Sequence, residues 1–198
     1  MKSPRGRPYR MVARAASAEA TGERILDAAA EAFWERPGEH PSLEDVANRA
    51  GVSVQTVIRR FGGRDGLVAA GVERESERVR VERDPAAVRD VRGAVDQLVA
   101  HYESMGDRVL AMLAEEVRNP ALRDVAGSGR RFHRAWCEAV FASTLAGLSG
   151  SVRERRLAQL VAICDVYTWK LLRRDAGLPR RQTELALREL LEPLLEGS

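Results

Sequence analysis

Apolar residues recur every three or four positions through most of this chain, with charged residues between them. That spacing belongs to amphipathic helices, and no stretch alternates with the period of two that a half-buried strand requires. An all-α architecture is predicted. The sharpest pattern lies in residues 42–67, which read as a helix, a tight turn and a second short helix. Ser42 stands before an apolar-periodic run with Asp45 three residues on, close to a capping box. Leu43, Val46, Ala47 and Ala50 share one face. Gly51 sits where a left-handed cap ends a helix without steric cost. Ser53 can cap the next helix, which Val57 and Phe61 anchor. Left outward are Val54, Gln55, Thr56, Ile58, Arg59 and Arg60. This is the sequence form of a helix-turn-helix, whose second helix commonly enters the DNA major groove. Two readings are open for that outer face: a DNA-reading surface, or ordinary solvated charge on a short helix.

Beyond Leu67 helical patterning continues. Residues 67–83 carry Glu73, Arg74, Glu75, Glu77 and Arg78, as suits a partly solvated connecting helix, and Asp84-Pro85 breaks it. Residues 85–105 follow, with Val88, Val91, Val95, Leu98, Val99 and Tyr102 at helical spacing. Gly106 is expected to punctuate that run, residues 109–117 to continue it, and a longer run to start after Gly127-Ser128-Gly129. Residues 151–174 read as one helix of roughly 35 Å. Gly177-Leu178-Pro179 then turns the chain into residues 180–195. The last two runs either complete one core or pair with a second copy.

Charge changes the picture through its placement. The net charge is only +3, yet residues 1–14 hold Lys2, Arg5, Arg7, Arg10 and Arg14 with no acid. The following residues, 15–66, have six basic and nine acidic side chains, with Arg59, Arg60 and Arg64 clustered near the exit. Pro4-Arg5-Gly6-Arg7-Pro8 resembles the core of an AT-hook, in which arginines lie along a narrow A·T-rich minor groove. The alternative is a basic tail that only strengthens non-specific attraction. The excess of arginine over lysine, thirty to two, carries no functional weight.

Taken in order, Ile25-Leu26-Asp27-Ala28-Ala29, Ala32-Phe33, Asp45-Val46-Ala47, Ala50-Gly51-Val52-Ser53, Thr56-Val57, Arg59-Arg60-Phe61 and Arg64-Asp65-Gly66-Leu67 resemble the N-terminal domain of the TetR family of transcriptional regulators. The resemblance covers about the first third of the chain. It implies a three-helix DNA-binding domain joined to a larger helical ligand-binding and dimerisation domain. The expected division is a flexible basic arm over 1–17, the helix-turn-helix domain over 18–66, and the effector-binding and dimerisation domain over 67–198. The DNA-binding set is Arg5, Arg7, Ser42, Ser53, Val54, Gln55, Thr56, Ile58, Arg59, Arg60 and Arg64. Departures from the family pattern are Ile58 in place of a phosphate-touching tyrosine, Arg64 in place of lysine, Gly62-Gly63 before it, and Pro37-Gly38-Glu39-His40-Pro41 at the first turn.

The family also implies a repressor that dimerises through its two C-terminal helices and releases double-stranded DNA when a small-molecule effector binds. Candidate effector contacts are His101, Tyr102, Met105, Met112, Phe132, His133, Trp136, Phe141, Tyr167 and Trp169, residues that packing alone would also explain. A fourth helix, starting at Arg64, would be the lever between the domains. No phosphate-binding glycine loop, nucleophile elbow or protease-type zinc pair is found, so neither an enzyme nor a cofactor is expected. His133 and Cys137 share a helix face, but no third metal ligand accompanies them. Cys137 and Cys164 lie in apolar runs and read as packing residues. With no secretory signal pattern and no membrane-spanning apolar run, a cytoplasmic protein is expected. The rival to a DNA-binding regulator is a helical interaction protein on the same fold.

Overall fold

The computed structural model describes residues 6–36 and 41–196, which form helices joined by short turns, with no strand among them. The turn at residues 37–40 lies outside them. The chain divides into two compact units, Met1–Ser76 and Glu77–Ser198. That places the boundary about two-thirds of the way along the connecting helix Arg64–Glu82, later than residue 66.

The first unit contains α1 (Gly6–Glu35), α2 (Leu43–Ala50), α3 (Val54–Phe61) and the first part of α4 (Arg64–Glu82). Its core is small and closed: Ile25, Ala28, Val46, Ala47, Val57 and Leu67 are buried together. Local chemistry sets the ends of α2 and α3. Ser42 Oγ accepts from Asp45 N at 3.0 Å, and Ser53 Oγ from Thr56 N at 3.2 Å. Gly51 and Gly62 end the two helices with φ of 65° and 78°, a region other residues enter at a cost. Arg49 then ties α2 to the end of α1. Its two terminal nitrogens donate to both oxygens of Glu35 at 2.7 Å, while Nε donates to Asp45. The Arg49 hydrogen bond holds the Glu35 carboxyl below its ordinary range.

α1 begins at Gly6, so residues 6–17 are helical where a flexible arm was expected. Two features permit this. Pro8 falls in the first turn, where its missing N–H is not needed, and the alanine-rich stretch 15–20 has high helix propensity.

The second unit holds the rest of α4, a 3-10 turn (Pro85–Ala87), α5 (Val91–Glu115), α6 (Pro120–Val140), α7 (Ala142–Ala146), α8 (Gly150–Ile163), α9 (Val166–Lys170), a π-helical segment (Leu171–Asp175) and α10 (Arg180–Glu196). Leu98, Trp136, Leu157, Leu160, Trp169 and Leu187 fill its centre. Three expectations are corrected here. Gly106 does not interrupt α5. It is buried within the helix, and a Cβ there would come within 2.5 Å of the Trp169 ring. Nor do Gly127 and Gly129 delay α6, which runs through both.

The run over 151–174 is not one helix. It stops at Cys164 and restarts behind Asp165, whose carboxylate caps Tyr167 N at 2.9 Å. The carbonyls freed at the break are taken up by side chains: Tyr102 Oη donates to Cys164 O at 3.0 Å and Thr168 Oγ1 to Ala162 O at 2.6 Å. No helix among the described residues is long and apolar enough to cross a membrane.

Candidate nucleic-acid interface and buried cluster

α3 is short, capped at its start and pinned by one fully buried side chain, Val57. Pinning one face fixes what the other presents. Gln55, Arg59 and Arg60 are exposed, Ile58 is 38% exposed, and Val54 and Thr56 are half-buried. Ser53 Oγ and Thr56 Oγ1 lie 2.9 Å apart, so both hydroxyls sit at the helix entrance. The outer face therefore carries an amide, a branched apolar side chain and guanidinium groups, the types that contact base edges, thymine methyls and phosphates. Ser42 and Arg64 stand exposed at the starts of α2 and α4. Arg5 lies outside the described residues, as does the side chain of Arg7, whose backbone belongs to α1.

The two adjacent arginines are not equivalent. An open groove of about 440 Å³ runs between α1 and α3, lined by Ser17, Ala18, Thr21, Thr56, Arg59 and Arg60. At its side the Arg60 guanidinium lies on Gly22 of α1. A Cβ at Gly22 would come within 2.3 Å of Arg60 Nε and Nη2. Its Cζ is also 6.0 Å from the Phe61 ring centroid. Arg60 is thus directed back along α1. The sequence pattern grouped it with Arg59, because residue spacing on α3 carries no information about a glycine on α1.

In the second unit the expected effector residues fall into two groups. Tyr102, Trp136, Phe141 and Trp169 are part of the packed core, Met112, His101 and His133 are buried, and Met105 and Phe132 are half-buried. Tyr167 is 51% exposed and stands apart from them.

Sequence reasoning missed Arg83, which is 3% exposed at the end of α4. Its Nη2 donates to His133 Nδ1 at 3.1 Å. Its guanidinium carbon lies 4.5 Å from the Trp136 centroid and 5.5 Å from that of Phe132. Because arginine can only donate, His133 Nδ1 is the acceptor. Nε2 therefore carries the proton, shared between Val161 O at 3.2 Å and Cys137 Sγ at 3.8 Å. Trp136 Nε1 donates to Gln97 Oε1 at 3.1 Å, and Gln97 Nε2 donates to Asp84 O at 3.2 Å, holding the loop after α4.

His101 lies within reach of the Arg83 charge. Burial first, then that charge, lower its pKa to about 4, against the opposing pull of Glu82. Nothing in the local sequence marked Arg83, which reads there as one more solvated charge on a charged helix.

Fold and surface together define a helix-turn-helix unit carried on a separate helical body. Residues 25–70 match the family of bacterial regulatory proteins described as the tetR family. Solved structures agree over nearly the whole chain. A transcriptional regulator from Rhodococcus sp. Rha1 is 24% identical, covering 89% of this chain and 96% of its own, with a TM-score of 0.62. GusR of Salmonella enterica is 22% identical, covering 89% and 96%, with a TM-score of 0.66. NalD of Pseudomonas aeruginosa, described as the secondary repressor of the MexAB-OprM multidrug efflux pump, is 23% identical, covering 91% and 97%, with a TM-score of 0.55. Curated protein sequences give no significant match. The resemblance to the TetR family therefore holds: the N-terminal domain is of that family, and the chain takes the fold of its transcriptional regulators.

Proposed function

We propose that this chain is a dimeric, sequence-specific repressor acting in the cytoplasm, whose affinity for operator DNA falls when a small molecule binds the helical body. The observation that carries the DNA-binding part is the outer face of α3, where Gln55, Ile58 and Arg59 stand exposed on a helix held by Val57 and two caps. Arg59 is the base-reading arginine in this proposal. Arg60, laid along α1 beside the groove, is the phosphate contact. Arg64, Ser42 and Thr56 serve the backbone on either side, and Arg5 and Arg7, at the chain's basic N-terminal end, extend the contact.

Dimerisation is supported by exposed apolar side chains on the last helices. Leu171 is 60% exposed, and Tyr167, Leu185 and Leu190 are exposed as well. A two-fold dimer would set two copies of α3 in successive major grooves, about 34–36 Å apart. In this proposal an effector acts by binding one conformer of the body better than the other.

Selection of random duplexes on the purified protein at two salt concentrations tests the reading. The expected result is an enriched palindrome with half-sites about one helical turn apart. Arg59→Ala should cost about 1–3 kcal/mol and relax the sequence preference at one position. Weak, sequence-blind and steeply salt-dependent binding would instead point to the helical interaction protein.

A further inference from the structure

Arg83 is a cation without an anion. Its side chain is permanently charged and almost wholly removed from water. The partners it has are neutral: a histidine nitrogen that accepts and two aromatic faces. Its Nε is buried and makes no hydrogen bond. Among the described residues no carboxylate pairs with it. Glu82, its neighbour in sequence, is turned to His101, with Oε2 3.7 Å from Nδ1. That distance is too long for a hydrogen bond, and His101 Nδ1 is also buried without one.

A buried charge whose partner is missing costs far more than it returns. Removing either half of such a pair is strongly destabilising, so an arginine kept in this state marks a place where the other half arrives from outside. The one internal rival is a thiolate at Cys137, whose pKa is lowered by its contact with Cys164, by His133 and by the Arg83 charge, but no hydrogen bond joins its sulfur to Arg83.

We propose that Arg83 is the receptor for the carboxylate of the effector, which is a small organic anion with an apolar body. This rests on the reading of the helical body as an effector domain. One positive charge set among neutral groups suits a singly charged carboxylate; a phosphate would need more cations. The free Nε–H is the edge that a carboxylate takes. The aromatic platform of Trp136 and Phe132 suits an apolar body. Phe132 is the half-buried member of the cluster and marks its outer side.

Regulation follows from position. Arg83 comes directly after α4, and its backbone N–H closes the last turn on Val79 O at 2.9 Å. The loop beyond it is held by the Asp84–Gln97–Trp136 chain of hydrogen bonds. A carboxylate that draws the guanidinium from His133 and Trp136 therefore acts on the end of α4.

The test uses the full chain without DNA. Calorimetric titration and thermal unfolding are recorded with benzoate, hexanoate, benzamide and inorganic phosphate at constant ionic strength. A saturable response to benzoate or hexanoate is expected, weaker by about tenfold or more for benzamide and for phosphate. Arg83→Lys should weaken carboxylate binding by a similar factor. Arg83→Met should bind no carboxylate yet melt at or above the wild-type temperature, because it removes an uncompensated charge.

Four results would overturn the proposal: no saturable response to either carboxylate, equal responses to benzoate and benzamide, carboxylate binding retained by Arg83→Met, or an Arg83→Met variant that melts well below wild type while Cys137→Ala does the same. The last would make Cys137 the counter-ion. Because no DNA is present, failure here is distinct from failure to bind an operator. Adding benzoate to the selected duplex complex then tests the coupling separately.

Discussion

At position 101 a neutral imidazole is buried beside a permanent cation, and this links the stability of the helical body to pH. His101 has its folded-state pKa lowered to about 4 by burial and by Arg83, against about 6.5 in an unfolded chain. Between those values the unfolded chain binds more protons, so stability rises with pH. The contribution is complete above pH 6.5 and is lost as pH falls toward 4, on the order of 3 kcal/mol in all. Urea unfolding at pH 7 and pH 4.5 is expected to show this loss, and His101→Gln to reduce it. An equal loss in the variant would assign the effect to other groups. The serine caps make a simpler case. Ser53→Ala should cost about 1 kcal/mol in thermal unfolding of the first unit. Both caps were legible in the sequence because a cap is decided within four residues. Arg83 and the direction of Arg60 were not, since each depends on residues dozens of positions away.

At the scale of elements, the positions of the helices followed from apolar spacing, while their interruptions did not. Gly106 and Gly127 carry the sequence mark of a stop, and both are helical. For Gly106 the reason is a close approach: the Trp169 ring, itself fully buried, occupies the space where a side chain would be. Gly106→Ala gains helix propensity of about 1 kcal/mol, but it drives a methyl group to within 2.5 Å of a fully buried ring. Overpacking of this kind costs about 1–3 kcal/mol, so a net loss is expected in urea unfolding at pH 7. The break at Cys164 shows the converse. Apolar spacing continues straight through it, and only Tyr102, Asp165 and Thr168 together make the kinked backbone acceptable. Two of those three lie within the segment, but Tyr102 comes from α5, and no reading of residues 151–174 alone contains it.

For the whole molecule, the all-α class and the helix-turn-helix were legible because the DNA-reading unit is built almost wholly from local signals. The body's chemistry was less so, since a stripe of aromatic residues looks the same whether it packs or binds. The different placements of Arg59 and Arg60 have a consequence for the intact protein on DNA. Arg60→Ala should weaken binding across all sequences alike and lower the slope of log affinity against log salt by about one. Arg59→Ala should instead alter which sequences are preferred. Parallel binding isotherms on the selected duplex and on a scrambled one separate the two. An Arg60 variant that changed sequence preference with no change in slope would reverse the assignment.

The three tryptophans are divided between the units. Trp34, edge-on to Phe33 at 4.8 Å, belongs to the first. Trp136 and Trp169 belong to the second, each with its indole N–H bound to a side-chain oxygen, on Gln97 and Glu103 respectively. Intrinsic fluorescence is therefore already sorted by domain. A Trp34→Phe protein emits only from the helical body, and the difference from wild type reports the DNA-reading unit alone. The chain thus carries its own optical labels for asking whether the two units melt together or in turn.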